Sequence, residues 1–120
     1  MTTTAQLIED NLVRIFANPN RYERHMAVVE IYARDVRFSD AEGTISGMEA
    51  VEARAGELFA QAPEGFRLLS HGPVYLLGER AALPWALGPE GGSSVVSGLD
   101  IVTVRDGKIT EIETLIVNPR

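Results

Sequence analysis

The feature that most constrains this 120-residue chain is the stretch Ser97–Ile109, where two apolar, largely β-branched runs flank Asp106-Gly107. Asp-Gly between such runs is a strong signal for a β-hairpin, because both residues suit the backbone of a tight turn. Asp100 interrupts the first run. A carboxylate in the middle of a strand is costly unless a neighbouring group satisfies or uses it. Asp100 is therefore a candidate functional residue.

The hairpin can close in two registers, which place different residues beside Asp100. A two-residue turn places Glu113 opposite Asp100, whereas a three-residue turn with a glycine bulge places Ile112 there. Like charges directly opposite each other destabilise a strand pair. We therefore predict the three-residue turn, which gives Asp100 an apolar wall of Ile112, Thr114 and Ile116.

The composition predicts a soluble globular domain, with 45% hydrophobic and 23% charged residues and a net charge of −6. The absence of a basic run argues against nucleic acid or an anionic membrane as a partner. No apolar stretch reaches the roughly 18 residues of a membrane span. The start Met1-Thr2-Thr3-Thr4 lacks the features of a signal peptide, so a cytoplasmic location is predicted.

Several chemistries are disfavoured by the residues that are present. The chain has no cysteine, which excludes disulfides, thiolate ligands and thiol nucleophiles. Its two histidines are far apart and have no partner at a ligand spacing, so no metal site is predicted. No cofactor motif stands in the strand–turn–helix context that phosphate loops require, and none is expected.

The first half of the sequence predicts three helices. Thr3 or Thr4 caps the first, which runs to about Asn18. The second covers roughly Tyr22 to Ala33, with Met26, Val29, Tyr32 and Ala33 on one side. The third begins with a capping box formed by Ser46 and Glu49, and Pro63 and Gly65 stop it.

Two short strands, Val36–Phe38 and Thr44-Ile45, stand between the second and third helices, and a period of two dominates after Phe66. The later strands are predicted at Phe66–His71, Val74–Leu77, Ala81–Leu87, Val95–Val104 and Lys108–Val117. Helices grouped against one face of such an antiparallel sheet make an α+β domain.

This order of elements, together with several motifs, resembles the nuclear-transport-factor-2-like superfamily, in particular its SnoaL-like and ketosteroid-isomerase-like branches. The matching residues are Ile31–Asp40, Gly43, Ser46–Val51, Trp85, Gly88, Gly98–Ile101 and Asp106–Ile109. The resemblance spans nearly the whole chain. It implies a single SnoaL-like domain over residues 1–120, in which a cone-shaped, antiparallel or mixed sheet wraps around three N-terminal helices.

The resemblance also implies an apolar pocket for a small hydrophobic molecule, no cofactor, and a homodimer formed through the sheet. Asp40 matches the general base of ketosteroid isomerases, although an Asp in the Ser39–Gly43 turn is equally explained by capping that turn. Asp100 matches the pocket-facing acid, which in this superfamily is either a protonated hydrogen-bond donor or a base. The alternative for Asp100 is a structural carboxyl bonded to a neighbour.

We expect Trp85, the only tryptophan, near Val96 and on the face of Asp100, where its indole would raise the pKa of the carboxyl. The first helix lacks the tyrosine that the isomerases place beside the strand acid, and Tyr22, Tyr32 or Tyr75 could substitute for it only where the geometry allows. Gly98 stands where the epoxide-hydrolase branch has an arginine. The residues predicted to line the pocket are Phe16, Tyr32, Phe38, Phe59, His71, Trp85, Val102, Ile112, Thr114 and Ile116.

The sequence thus supports three hypotheses. The first is cofactor-independent acid–base catalysis by Asp100 and Asp40 on a carbonyl-bearing molecule: isomerisation, cyclisation of the polyketide-cyclase type, or dehydration. The second is a non-catalytic module of the same fold that binds a small ligand. The third is a dimerising domain whose pocket is filled by its own side chains.

Overall fold

Three helices precede most of the sheet in the computed structural model, which describes residues 2–117. Helix α1 spans Thr4–Asp10 and continues as a π-helical segment over Asn11–Phe16. Helix α2 spans Arg21–Ile31, and helix α3 spans Met48–Gln61. The predicted three helices are therefore confirmed, and the first ends at Phe16 rather than near Asn18.

The helix starts test the predicted caps. Thr3 caps α1, because its side-chain oxygen accepts a hydrogen bond from the Gln6 amide at 3.1 Å. The predicted capping box at Ser46 is wrong, because the N-cap of α3 is Gly47, at φ 98°. No side chain accepts a hydrogen bond from the first backbone amides of α3 at this cap. Ser46 cannot serve because it closes a strand and pairs with Arg37.

The apolar residues predicted on one side of α2 do not form its buried side. Met26 and Val29 are about half exposed, at 50% and 51%, while Ala27, Val28 and Ile31 are buried. The helix ends at Ile31, so Tyr32 belongs to the following strand and cannot extend a helical stripe.

Within residues 2–117, seven strands form one mixed sheet. Their bounds are β1 Tyr32–Asp40, β2 Gly43–Ser46, β3 Phe66–Ser70, β4 Tyr75–Leu77, β5 Arg80–Pro89, β6 Val96–Arg105 and β7 Lys108–Ile116. The order across the sheet is β2-β1-β7-β6-β5-β3, with β4 also paired to β5. Strands β1 and β7 are parallel, and the other pairs are antiparallel. The α+β class is confirmed.

The β6–β7 hairpin has the two-residue turn of one predicted register, but its pairing at Asp100 matches neither register. Its turn has two residues, Asp106 and Gly107, which both have positive φ, 53° and 75°. The pairing begins as Arg105 with Lys108, but a bulge at Thr110 then shifts it by one residue. As a result, Thr114 lies opposite Asp100, so the predicted three-residue turn with Ile112 opposite Asp100 is wrong. The shift also keeps Glu113 away from Asp100.

A second irregularity lies beside this bulge. Between the pairs Tyr32–Ile109 and Arg37–Glu111, four residues of β1 face the single residue Thr110 of β7. Bulges bend strands and increase their twist. Two bulges meeting at Thr110 therefore bend the sheet, so that its inner face packs against the helices.

The core consists of side chains from the helices and the inner face of the sheet. Alternate residues of β6 are buried, which is typical of a strand with one face toward the core. The largest fully buried side chains include Tyr32, Phe38, Ile109 and Ile112. No helix within residues 2–117 is long and apolar enough to cross a membrane.

Candidate functional site

Asp100 lies at the centre of β6 and on the inner face of the sheet. It is 6% exposed and pairs with Leu83 of β5 on one side and Thr114 of β7 on the other. Among the described residues, Asp100 and Asn11 are the two buried residues with polar or charged side chains. The protein therefore keeps an ionisable group inside an otherwise apolar interior.

One neighbour satisfies part of this carboxyl. The Thr114 hydroxyl donates to Oδ1 of Asp100 at 2.9 Å, which the bulge at Thr110 makes possible. The pKa of Asp100 is raised to about 6, because the effect of burial outweighs the opposing effects of the Thr114 hydroxyl and the Trp85 indole N–H. The indole nitrogen is buried and has no partner in hydrogen-bond geometry. The carboxylate thus has one firm hydrogen bond and a second donor close by.

Trp85 lies on the inner face of the sheet, as Asp100 does, and its direct partner is Gly98, two residues from Val96. A Cβ built on Gly98 would meet the Trp85 ring carbons at 2.6 and 2.9 Å and the Leu115 carbonyl oxygen at 2.0 Å. The indole therefore occupies the space that a side chain at this position would need. Leu87, not Trp85, is the residue opposite Val96.

We expect Gly98→Ala to lower the free energy of unfolding by about 2–3 kcal/mol, because the new methyl group meets both backbone and ring. Chemical denaturation measures this change. The matched control is Gly72→Ala, whose Cβ would contact the Pro84 ring at 3.0 Å but no backbone atom among its nearest neighbours. Equal stability of Gly98→Ala and the wild type would contradict the close contact.

The packed interior opens toward one end of the sheet. On the inner face of β7, exposure rises from Ile112 at 0%, through half-buried Thr114, to Ile116 at 56%. On β6 it rises from Val102 at 0% to half-buried Val96, with Asp100 between them. Asp100 therefore lies where the tightly packed core gives way to the more open end.

Tyr32 is the tyrosine that lies in the interior, because Tyr22 and Tyr75 are 73% and 58% exposed. Its hydroxyl donates to Oδ1 of Asn11. Burial, and then the charge of Asp100, raise the pKa of Tyr32 well above its ordinary value, so it remains protonated. Tyr32 and Asp100 therefore both lie in the buried interior.

Asn11 is the site residue that sequence reasoning missed. It is fully buried and begins the π-helical segment. A signal was present: Asn11 lies three residues after Ile8 and four before Ile15, so it falls within the apolar stripe of the first helix. A polar residue in such a stripe requires a partner, and here Tyr32 supplies one.

Asp40 lies at the end of β1, where its carboxylate has two structural partners. Oδ1 accepts from the Glu42 amide at 2.9 Å, and Oδ2 accepts from the Arg54 guanidinium at 3.0 Å. Both side chains of this ion pair are largely buried, at 13% and 14% exposure. These contacts favour the turn-capping alternative, and a catalytic role for Asp40 stays a prediction.

The remaining residues predicted to line the pocket fall into two groups. Phe38, Val102 and Ile112 are packed in the core, and half-buried Phe16 stacks on Phe38 with ring centroids 5.4 Å apart. Phe59, His71 and Ile116 are exposed. The structure therefore places Thr114 in hydrogen-bond contact with Asp100 and buries Tyr32 and Trp85 in the same interior, while His71 is exposed.

Two surface concavities are described, and Asp100 lines neither. The larger, of about 530 Å³, lies where the two bulges meet and is lined largely by charged residues, including Arg37, Arg105 and Lys108. The smaller, of about 200 Å³, lies beside β4. Within residues 2–117, no cluster of three or more His, Asp or Glu side chains is placed to hold a metal ion.

A profile of the SnoaL-like domain matches residues 14–112, which is most of the chain. This chain belongs to the SnoaL-like family. No curated protein matches the sequence. The comparison with solved structures agrees with the SnoaL-like assignment at the level of the fold.

Three solved structures illustrate the similarity. A candidate isomerase of the SnoaL-like family from Agrobacterium tumefaciens aligns with a TM-score of 0.86 and 20% identity, covering 98% of this chain and 100% of that one. A candidate SnoaL-like polyketide cyclase from Jannaschia sp. CCS1 gives 0.77 and 15%, covering 94% and 84%. A candidate ketosteroid isomerase from Kribbella flavida gives 0.74 and 17%, covering 98% and 79%. At these identities the similarity establishes the fold alone.

Proposed function

We propose that this SnoaL-like protein is a cofactor-independent acid–base enzyme that acts on a small hydrophobic molecule bearing a carbonyl group. The observation that carries the proposal is Asp100, a carboxyl buried at the edge of an apolar core, with a pKa raised to about 6. A general base works best when its pKa lies near the working pH. Asp100 meets that condition, whereas an exposed carboxylate with an ordinary pKa near 4 is a much weaker base.

The chemistry begins with proton abstraction by Asp100. At pH 7 a group with a pKa of about 6 is largely ionised, so Asp100 is ready to accept a proton. The C–H bond beside the substrate carbonyl breaks, its electron pair moves to the carbonyl oxygen, and the proton forms an O–H bond on Asp100. The neutral acid then returns that proton to a different carbon or to oxygen.

Thr114 and Trp85 assist this cycle without exchanging protons themselves. The Thr114 hydroxyl fixes one oxygen of the carboxylate and leaves the other available for the substrate. Trp85, on the inner face of β5, brings its indole N–H close to the carboxyl. A return of the proton to another carbon is an isomerisation. A cyclisation or dehydration begins from the same carbanion, in keeping with the isomerase and cyclase names among structures of similar fold.

A second candidate is a non-catalytic binding module of the same fold. It is favoured by Asp40, whose carboxylate is already occupied by Arg54 and by the turn, so that a second free acid is missing from the predicted pair. In that case Asp100 is a structural carboxyl held by Thr114, with no part in ligand binding or turnover. Ligand binding unchanged by Asp100→Asn, with no turnover, would favour this candidate.

Deuterium exchange tests the proposal without knowledge of the natural substrate. We would incubate the protein with 2-tetralone, a neutral ketone with protons flanked by a ring and a carbonyl, in D₂O and follow the loss of those protons by NMR. Exchange well above that produced by acetate at the same carboxyl concentration is expected. Exchange equal to the acetate background would contradict the proposal.

We also propose a homodimer formed through the outer face of the sheet. Leu99 and Ile101 point away from the core, because their neighbour Asp100 points inward. Leu115 and Tyr75, at 47% and 58% exposure, continue this apolar face on β7 and β4. Contiguous exposed apolar surface of this kind marks an interaction site.

Light scattering after gel filtration is expected to give twice the monomer mass, and Ile101→Glu is expected to halve it, because a carboxylate then enters the interface beside Glu113. The matched control is Val13→Glu, which places the same charge at a 63% exposed position on the helical side. A monomeric wild type, or a dimer lost equally in both variants, would contradict this interface.

A further inference from the structure

The concavity where the two bulges meet is lined by equal numbers of positive and negative side chains. Its volume of about 530 Å³ is typical of a site for a small molecule. Asp100 does not line it, so it is separate from the interior site. Three cations and three acids line it: Arg37, Arg105, Lys108, Asp35, Asp106 and Glu111.

The backbone creates this concavity. Four residues of β1 face the single residue Thr110 of β7, so the two strands are not paired over this stretch. Ala33 contributes only a methyl group to the lining, and the Thr110 hydroxyl is already used in a hydrogen bond to the Thr103 carbonyl, at 3.2 Å. Bulges occur frequently beside functional sites, where they re-aim side chains. The charged residues therefore surround a recess that the strands themselves form.

Two cations lie side by side at the hairpin end of this concavity. Arg105 and Lys108 are directly opposite each other across β6 and β7, and like charges in that arrangement repel. The Lys108 ammonium group donates to the Glu30 backbone carbonyl at 2.6 Å. Arg105 forms no ion pair within residues 2–117. Its guanidinium is therefore free to bind an anionic group.

The acids of the concavity are also only partly paired. Glu111 forms an ion pair with Arg37 at 3.4 Å. Asp35 and Asp106 are exposed, and neither forms an ion pair in the described part of the chain. These two carboxylates are therefore free to bind a cationic group.

This arrangement disfavours a ligand with charge of one sign. An anion attracted by Arg105 would be repelled by the two unpaired carboxylates, and a cation attracted by the carboxylates would be repelled by Arg105 and Lys108. A zwitterion avoids both costs. Asp35 on β1 and Arg105 on β6 are separated by β7, and neighbouring strands lie about 4.8 Å apart. The two charged groups of the ligand must therefore be several bonds apart.

We infer that this concavity binds a small zwitterion, with Arg105 binding its carboxylate and Asp35 binding its ammonium group. An ω-amino acid has this chemistry, whereas the two charges of an α-amino acid lie on neighbouring groups. The inference is independent of the proposed function, because the concavity lies outside the interior around Asp100. Exposed ion pairs are weak, so the affinity is expected to lie in the millimolar range.

An NMR titration of the ¹⁵N-labelled protein tests this site with three probes of equal chain length. γ-Aminobutyrate carries both charges, butyrate carries only the carboxylate, and butylammonium carries only the ammonium group. We expect γ-aminobutyrate to shift the backbone amide resonances of Gly107 and Thr110 along a saturating curve. It is expected to bind about fivefold more tightly than either singly charged probe. Equal binding of the zwitterion and a singly charged probe, or shifts that rise linearly without saturation, would overturn the inference.

Substitutions of exposed residues test the two charges separately. Arg105→Gln and Asp35→Asn are each expected to weaken the binding of γ-aminobutyrate about fivefold and to leave the melting temperature unchanged. The matched control is Arg34→Gln, which removes a positive charge beside Asp35 but outside the concavity, and it is expected to bind as the wild type does. An equal loss of affinity in Arg105→Gln and Arg34→Gln would contradict the assignment. Asp100→Asn is expected to keep wild-type affinity for γ-aminobutyrate, so a failure of the proposed catalysis would not affect this result.

Discussion

Asp100→Asn is expected to lower the rate of deuterium exchange into 2-tetralone at least 100-fold. General-base catalysis by a positioned side chain is worth about 10²–10⁴ in rate. Asparagine preserves the shape of the side chain, and its oxygen still accepts from Thr114, but it cannot take up a proton. The exchange rate at saturating ketone, followed by NMR, measures the effect.

The matched control for this experiment is Asp40→Asn, the same chemical change in the other predicted acid. Because Asp40 is held by Arg54 and by the Glu42 amide, we expect this variant to exchange within about threefold of the wild type. An equal loss of exchange rate in both variants would indicate that Asp40 is catalytic as well as Asp100. An unchanged rate in Asp100→Asn would exclude Asp100 as the base.

The pH dependence of exchange has a defined sign. The base must be ionised to act, so the rate rises with pH and levels off above the pKa of Asp100, about 6. At one pH unit below that value, the rate is expected to be about a tenth of its maximum. A maximum at acidic pH would instead indicate that Asp100 acts as a protonated donor.

The second large effect concerns stability. The pKa of Asp100 rises from an ordinary value of 3.8 to about 6 in the folded protein, so between these values the native state binds more protons than the unfolded state. The free energy of unfolding therefore falls as pH rises through this window. The free-energy cost of burying the ionised Asp100 is fully present above pH 6. It amounts to about 3 kcal/mol, since one pKa unit corresponds to about 1.4 kcal/mol.

Asp100→Asn removes this penalty, because asparagine has no charged form to bury. We expect the variant to be more stable than the wild type by up to about 3 kcal/mol at pH 8, and the difference to vanish near pH 4. Urea denaturation at both pH values measures it. Asp106→Asn makes the same chemical change in an exposed turn, and we expect no comparable gain. A gain that is equal at pH 4 and pH 8 would show that packing, rather than ionisation, causes it.

Taken together, the two predictions describe a residue that costs stability and supports activity. A purely structural carboxyl would give the stability gain, because that gain follows from burial alone, but it would not give the loss of exchange. The pairing of a stability gain with an activity loss is therefore a sharper criterion than either result alone.

Local sequence patterns predicted much of the fold. The Asp106-Gly107 turn, the order of helices and strands, and the α+β class are all present in the structure. The alternation of β7 correctly placed Ile112 and Thr114 on the face of Asp100. These features depend on residues that are near each other in the chain, where turn chemistry and periodicity act directly.

The errors share one physical cause, which is competition between local preference and long-range packing. Ser46 has the chemistry of a helix cap but pairs with Arg37 in the sheet. On α2, the buried residues are Ala27 and Val28, whereas Met26 and Val29 are about half exposed.

By itself, the sequence determined that an acid stands inside a strand, and that this strand belongs to a hairpin against a helical layer. Only the tertiary structure decided what that acid meets. A bulge at Thr110 brought Thr114 to it, Gly98 made room for Trp85, and the first helix carried Asn11 and its partner Tyr32 into the same interior. These contacts join residues far apart in the chain, and a one-residue shift in register is enough to exchange them. No pattern within a single strand or helix specifies that shift, because it is set by how the bent sheet closes over its helices.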